Sequence, residues 1–195
     1  MSKNTLGRWM AAAVLVMATG AVWGEGPDYT IEPGKRVSAV TRTTTLSELQ
    51  TAYGPKNVKA TDLPGVEGET IKGAIVLGGT DREMHVIWDP ENPEKEALEV
   101  ELVGKAWDLE GLKRGATLAE VEKANGAPFK MTGFGWDMGG YALFEKGKLA
   151  GKVMVRFTST GPQSDDIQGD RQIPSTHAGL RAAKPVVEKV SIFLK

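Results

Sequence analysis

Residues 45–55 and 117–128 repeat one another at an offset of 72. Thr45-Leu46-Ser47-Glu48-Leu49-Gln50-Thr51-Ala52-Tyr53-Gly54-Pro55 lies over Thr117-Leu118-Ala119-Glu120-Val121-Glu122-Lys123-Ala124-Asn125-Gly126-Ala127-Pro128. Thr, Leu, Glu, Ala and Gly coincide, and the proline slips by one place. Each copy has the grammar of a short helix. Thr45 and Thr117 can cap free N–H groups, and Glu48 and Glu120 can reach back to the cap residue. Leu46, Leu49 and Ala52 recur at helical spacing, as do Leu118, Val121 and Ala124. Gly54 and Gly126 then supply a helix stop, with proline close behind. The pattern predicts helices over 45–53 and 117–125.

Beyond each helix the hydrophobic period falls to two. In the first copy, Ile71–Leu77 and Arg82–Trp88 flank Gly78-Gly79-Thr80-Asp81, a hairpin turn, and Leu98–Leu102 alternates with its acidic residues outward. In the second, Gly140–Phe144 and Lys152–Phe157 flank Lys146-Gly147-Lys148, and Val190–Leu194 closes the chain. The expected fold is α+β: two tandem repeats, residues 32–103 and 107–195, each a short helix packed on an antiparallel three-stranded meander. The second repeat carries an insertion, 158–185, whose Gly, Pro, Ser, Asp, Gln and Thr read as a long loop.

The first 24 residues read as a cleavable signal peptide. Lys3 and Arg8 precede an apolar run from Met10 to Val22, and Gly24 with Val22 before it suits signal peptidase. The run is short of the roughly 20 residues a membrane span needs. Cleavage removes two of the 24 basic residues and none of the 25 acidic ones, leaving 22 against 25 and a net charge of −3. That balance offers no footprint for nucleic acid. With no cysteine to carry lipid or a disulfide, the expectation is a protein without a membrane anchor after cleavage, periplasmic in a two-membrane bacterium.

Gly115-Ala116-Thr117-Leu118-Ala119-Glu120-Val121 with Gly126-Ala127-Pro128, followed by an antiparallel meander, resembles two exported families. One is the SmpA/OmlA-type (BamE-like) small outer-membrane lipoproteins. The other is the beta-lactamase inhibitor proteins, which duplicate such a unit. Residues 111–149, with their GFGWDMGGY segment, also look like an uncharacterised family of exported bacterial proteins. The resemblance implies tandem helix–sheet units and an envelope protein as a possible partner.

Conventional catalytic chemistry is sparsely represented. His85 alternates with Met84, Val86 and Trp88 and so points away from them, which suits a solvated strand histidine. His177 shares the 158–185 segment with Ser175, Asp165 and Asp170, but no nucleophile turn frames the serine. Two separated histidines and no cysteine fall short of the usual transition-metal ligand sets, and Asp165, Asp166 and Asp170 lack the spacing of a calcium loop. No catalytic residue, metal or cofactor is assigned. The unusual segment is Gly133-Phe134-Gly135-Trp136-Asp137-Met138-Gly139-Gly140-Tyr141. Its aromatics either pack inward around a glycine turn or form a recognition surface in which Phe134, Trp136, Asp137 and Tyr141 are the binding candidates. This leaves two function classes. One is a non-catalytic periplasmic protein-binding or inhibitory module. The alternative is a carboxylate-dependent envelope hydrolase, or a ligand-binding protein, that uses the 158–185 loop.

Overall fold

The computed structural model describes residues 28–65 and 68–195. The expected signal peptide lies outside the described residues. The chain is α+β, with antiparallel sheets and, among the described residues, three short α-helices. Three two-residue strands, β1 (Ile31–Glu32), β2 (Arg36–Val37) and β3 (Val40–Thr41), make a small meander ahead of α1 (Leu46–Tyr53). Four strands come next: β4 (Val58–Pro64), β5 (Thr70–Val76), β6 (Met84–Trp88) and β7 (Ala97–Leu102). After α2 (Leu118–Asn125) come β8 (Lys130–Thr132), β9 (Ala142–Leu143), β10 (Val153–Ser159), β11 (Gln172–Pro174), α3 (Ala178–Ala182) and β12 (Pro185–Phe193).

Both repeated helices fall where their caps predict. Thr45 and Thr117 each accept from the N–H three residues on, and Glu48 and Glu120 each accept from the cap residue's own N–H at 2.7 Å. These bonds hold the Glu48 and Glu120 carboxyls below the usual carboxylate range, the backbone N–H contributing most. Gly126 ends α2 in the left-handed conformation, whereas Gly54 has a positive φ with an extended ψ. The last residue of each helix also ties the helix to a neighbouring turn or loop. Tyr53 Oη donates to Ser38 Oγ at 2.8 Å, and Asn125 Nδ2 donates to the carbonyls of Ala127 and Lys146.

The strands depart from two separate three-stranded meanders. The main sheet is continuous and six-stranded, in the order β10-β12-β7-β6-β5-β4, so the closing strand of the second half pairs with the last strand of the first. Residues 58–64 form a full strand that apolar alternation does not announce. In this edge strand only Val58 and Leu63 are buried. The strand expected over 140–144 is shortened to β9, with Gly140 in a turn before it, and β9 joins β8 and β11 in another sheet, linked to β10 through a bridge between Tyr141 and Arg156.

The 158–185 segment is also not a bare loop. It holds a 3₁₀ turn at Asp165–Ile167, then β11 and α3. Ile167, Ile173, Leu180 and Ala183 are buried in the common core. These four sparse apolar residues anchor a segment whose average composition is polar, and burying each contributes on the order of 1–3 kcal/mol.

Alternation divides the main sheet into two faces. Val76, Met84, Val86, Trp88, Val100, Leu102, Val155, Val190 and Ile192 share one core with Leu49 and Tyr53 of α1 and Leu118 and Val121 of α2. The opposite face carries Leu63, Ile71, Ile75, His85, Ile87, Glu99, Glu101, Met154, Arg156, Lys189 and Ser191, by the registers of the paired strands. Leu63 and Ile87 are buried, yet neither belongs to the helix-side core.

Candidate functional site: a groove on the open sheet face

The sheet face that no helix among the described residues covers forms a groove with a cavity volume of about 470 Å³. Its floor crosses five neighbouring strands: Ile71 from β5, Ile87 from β6, Glu99 from β7, Lys189 from β12, and Met154 and Arg156 from β10. At ordinary strand spacing that is a width of about 19 Å. One wall is the β4–β5 connection, contributing Pro64, Gly65, Glu69 and Thr70. The other is the glycine-rich segment, contributing Met138 and Tyr141. At the mouth, Gly65 and Gly68 face Trp136, Asp137 and Met138.

The glycine-rich wall is fixed to its surroundings by backbone bonds. Gly133 N donates to Arg171 O, Phe134 N to Ile167 O, and Gly169 N to Phe134 O, so the 158–185 segment holds it from one side. On the other side, Phe157 N donates to Gly140 O at 2.8 Å and Arg156 Nε donates to Gly139 O at 3.1 Å. Gly140 has φ +80°, and a Cβ there would lie 2.3 Å from Phe157 O, so only glycine lets this turn sit against β10. The insertion thus contributes no residue to the groove. It braces the wall from behind.

The four candidate residues part company here. Phe134 is 6% exposed and belongs to the core, so it is removed from the recognition surface. Trp136 is half-buried and donates its Nε1–H to Gly133 O at 2.9 Å, which holds its ring across the turn. Asp137 is exposed at the mouth, and Tyr141 is half-buried with the Arg156 guanidinium 5.3 Å from its ring centroid. Trp136, Asp137 and Tyr141 therefore do converge on one surface. Beside them Met138 is 44% exposed, one of two large hydrophobic side chains so exposed among the described residues. Isolated exposure needs no explanation, but Met138 adjoins apolar floor residues.

The floor residues escape a reading in which outward positions of Leu98–Leu102 are simply solvated. Glu99 and Glu101 are half-buried, as is Leu98. Lys189 Nζ lies 3.0 Å from Glu101 Oε2 and His85 Nε2 lies 2.9 Å from Glu83 Oε1, so His85 is held by a carboxylate and is not freely solvated. Glu99 forms no ion pair among the described residues, and its Oε1 is buried without a hydrogen-bond partner. Burial pushes the Glu99 carboxyl above the usual range. The nearby Ser191 hydroxyl and Lys189 ammonium offset this only in part, and Glu101 adds to it. Ser191 is itself fully buried on this face, and its Oγ closes no hydrogen bond of ordinary geometry. A polar floor with unmet bonding capacity, between apolar residues, is costly in a face that only meets solvent.

The serine and histidine of the insertion do not assemble a catalytic pair. Ser175 is fully buried; its Oγ accepts from Phe129 N and donates to Glu122 Oε1 at 2.6 Å. His177 instead caps α3, its Nδ1 accepting from Gly179 N, while Nε2 lies 3.6 Å from Asp166. Among the described residues no group of three or more His, Asp or Glu side chains could hold a metal ion, and no helix is long and apolar enough to cross a membrane. Comparison with protein-family models, curated proteins and solved structures finds no match to this chain.

Proposed function

We propose that this protein is a non-catalytic binding or inhibitory module that docks another envelope protein into the groove on its open sheet face. The observation that carries the reading is the groove itself. It has a floor of paired strands on which Ile71, Ile87 and Met154 lie among Glu99, Arg156 and Lys189, a wall clamped on both sides by backbone bonds, and an exposed Met138 at its mouth. A preformed concave surface loses little conformational freedom on binding, which favours affinity. Location in the periplasm rests on the N-terminal segment, read as a signal peptide. The descent of both halves from one duplicated unit is part of the same proposal. It is supported by starts that differ by 72 residues for α1 and α2, for β4 and β8, and for β5 and β9.

The test places a photo-crosslinking side chain at Met138, and separately at Ser47 on α1, in cells that export the protein. A discrete adduct formed from Met138 and not from Ser47, and abolished by Tyr141→Ala in a folded variant, supports docking in the groove. Equal adducts from both positions, or none from Met138, defeat it.

A further inference from the structure

Docking in the groove leaves open what chemistry it selects, and the Glu99 carboxyl on its floor bears on that. Three ionisable side chains stand on the floor: Glu99, Arg156 and Lys189. The two cations are already engaged. Lys189 pairs with Glu101 at 3.0 Å, and Arg156 donates to Gly139 O while resting on the Tyr141 ring. Glu99 differs. It stands between Ile87 on β6 and Phe193 on β12, its registered neighbours on either side, with one carboxylate oxygen unpartnered. The fully buried Ser191 hydroxyl beside it supports that carboxyl only in part and closes no other hydrogen bond. A carboxylate flanked by apolar side chains prefers a cation carried on an apolar stem, because the stem lies along the hydrophobic flanks while the head supplies the missing donors.

We propose that the groove captures its partner through a protruding basic side chain, arginine or lysine, whose stem lies against Ile87 and Met154 and whose cation seats on Glu99. This rests on the groove being the docking face. It goes further in committing the partner to a basic anchor flanked by apolar residues. The raised proton affinity of Glu99 is consistent with a site whose counter-charge arrives with the partner.

The test uses three probes of one shape and different charge: benzamidine, benzamide and benzoate, titrated into the ¹⁵N-labelled protein at neutral pH. Benzamidine is expected to shift the amide resonances of Ile87, Glu99 and Met154 saturably, at least tenfold more tightly than benzamide. Glu99→Gln, which keeps the shape of the side chain, is expected to remove that tenfold preference. Tighter binding of benzoate, equal binding of benzamidine and benzamide, or an unchanged preference in Glu99→Gln would overturn the basic anchor. The wild-type comparison decides even if the variant fails to fold. Crosslinking from Met138 that survives such a result would leave groove docking intact, so the two proposals fail separately.

Discussion

The two walls of the groove occupy matching places in the chain and are held by different means. Pro64–Thr70 follows a strand that begins at Val58 and leads into one that begins at Thr70. Residues 136–142 follow a strand that begins at Lys130 and lead into one that begins at Ala142. Each start lies 72 residues after its counterpart. In the first wall β4 runs seven residues and pairs with β5 along its whole length, so the ladder runs right up to the connection. In the second, β8 stops after three residues, and the chain turns through glycines whose backbone groups are bonded by the insertion and by β10. A connection whose own ladder is short can be made just as definite by bonds from outside it.

The largest effect should come from cutting that outside support. Phe134 is the apolar pin between the glycine-rich wall and the core, with its backbone bonded to Ile167 and Gly169. Phe134→Ala should cost about 3–5 kcal/mol in denaturant unfolding. A cost below about 1 kcal/mol would mean that the wall is not pinned through this side chain.

The glycines allow a sharper comparison. Gly68 and Gly140 stand 72 residues apart, and each has φ +80°. A Cβ at Gly68 meets nothing within 4 Å, whereas one at Gly140 would lie 2.3 Å from Phe157 O. Gly68→Ala should therefore cost only the left-handed strain, about 1 kcal/mol. Gly140→Ala adds a backbone clash that β10 must move to relieve, for a total of about 2–4 kcal/mol. Denaturant unfolding of the two variants makes the comparison, and equal losses would show that the second wall is as free as the first.

The helix caps should not distinguish the halves. Thr45→Ala and Thr117→Ala each remove one side-chain acceptor and disturb one reciprocal bond, so each should cost about 1 kcal/mol. Thermal unfolding of the two single variants checks this, and a difference above about 1 kcal/mol would break the equivalence of α1 and α2.

These features were not equally legible in the amino-acid sequence. Both helices, their caps, the hairpin after Val76 and β7 are written in local patterns, because capping and alternation are settled within a few residues. β4 was hidden because Lys59, Ala60, Asp62 and Pro64 lie exposed on an edge and break the alternation. The joining of β7 to β12 depends on residues some 90 positions apart, which no local pattern encodes. Trp136, Asp137 and Tyr141 stood out through composition, and the structure gathers them at the groove. Met138, Glu99 and Met154 did not, since their role depends on which face stays free of helix. One signal was present. Ile71, Ile75 and Ile87 put apolar side chains on the face that simple alternation assigns to solvent, which marks strands sheltered on both sides.

The smallest effect concerns Glu99 and carries its information in its sign. Its folded carboxyl is raised above the ordinary 4.5, chiefly by burial. Between the unfolded and the folded value the native state keeps a proton that the unfolded state has lost, so stability falls as pH rises through that window and stays lower above it. Glu99→Gln does not ionise and should escape this loss. The variant is expected to unfold at a higher temperature than wild type at pH 7, with the advantage shrinking as pH falls through that window and gone below about 4.5. The capping carboxylates Glu48 and Glu120 are shifted the other way, but they are common to both proteins and cancel in the difference. A variant less stable than wild type at pH 7 would mean that Glu99 is already satisfied within the fold. The free carboxylate at the groove floor would then lose its distinction from the paired Glu101 beside it.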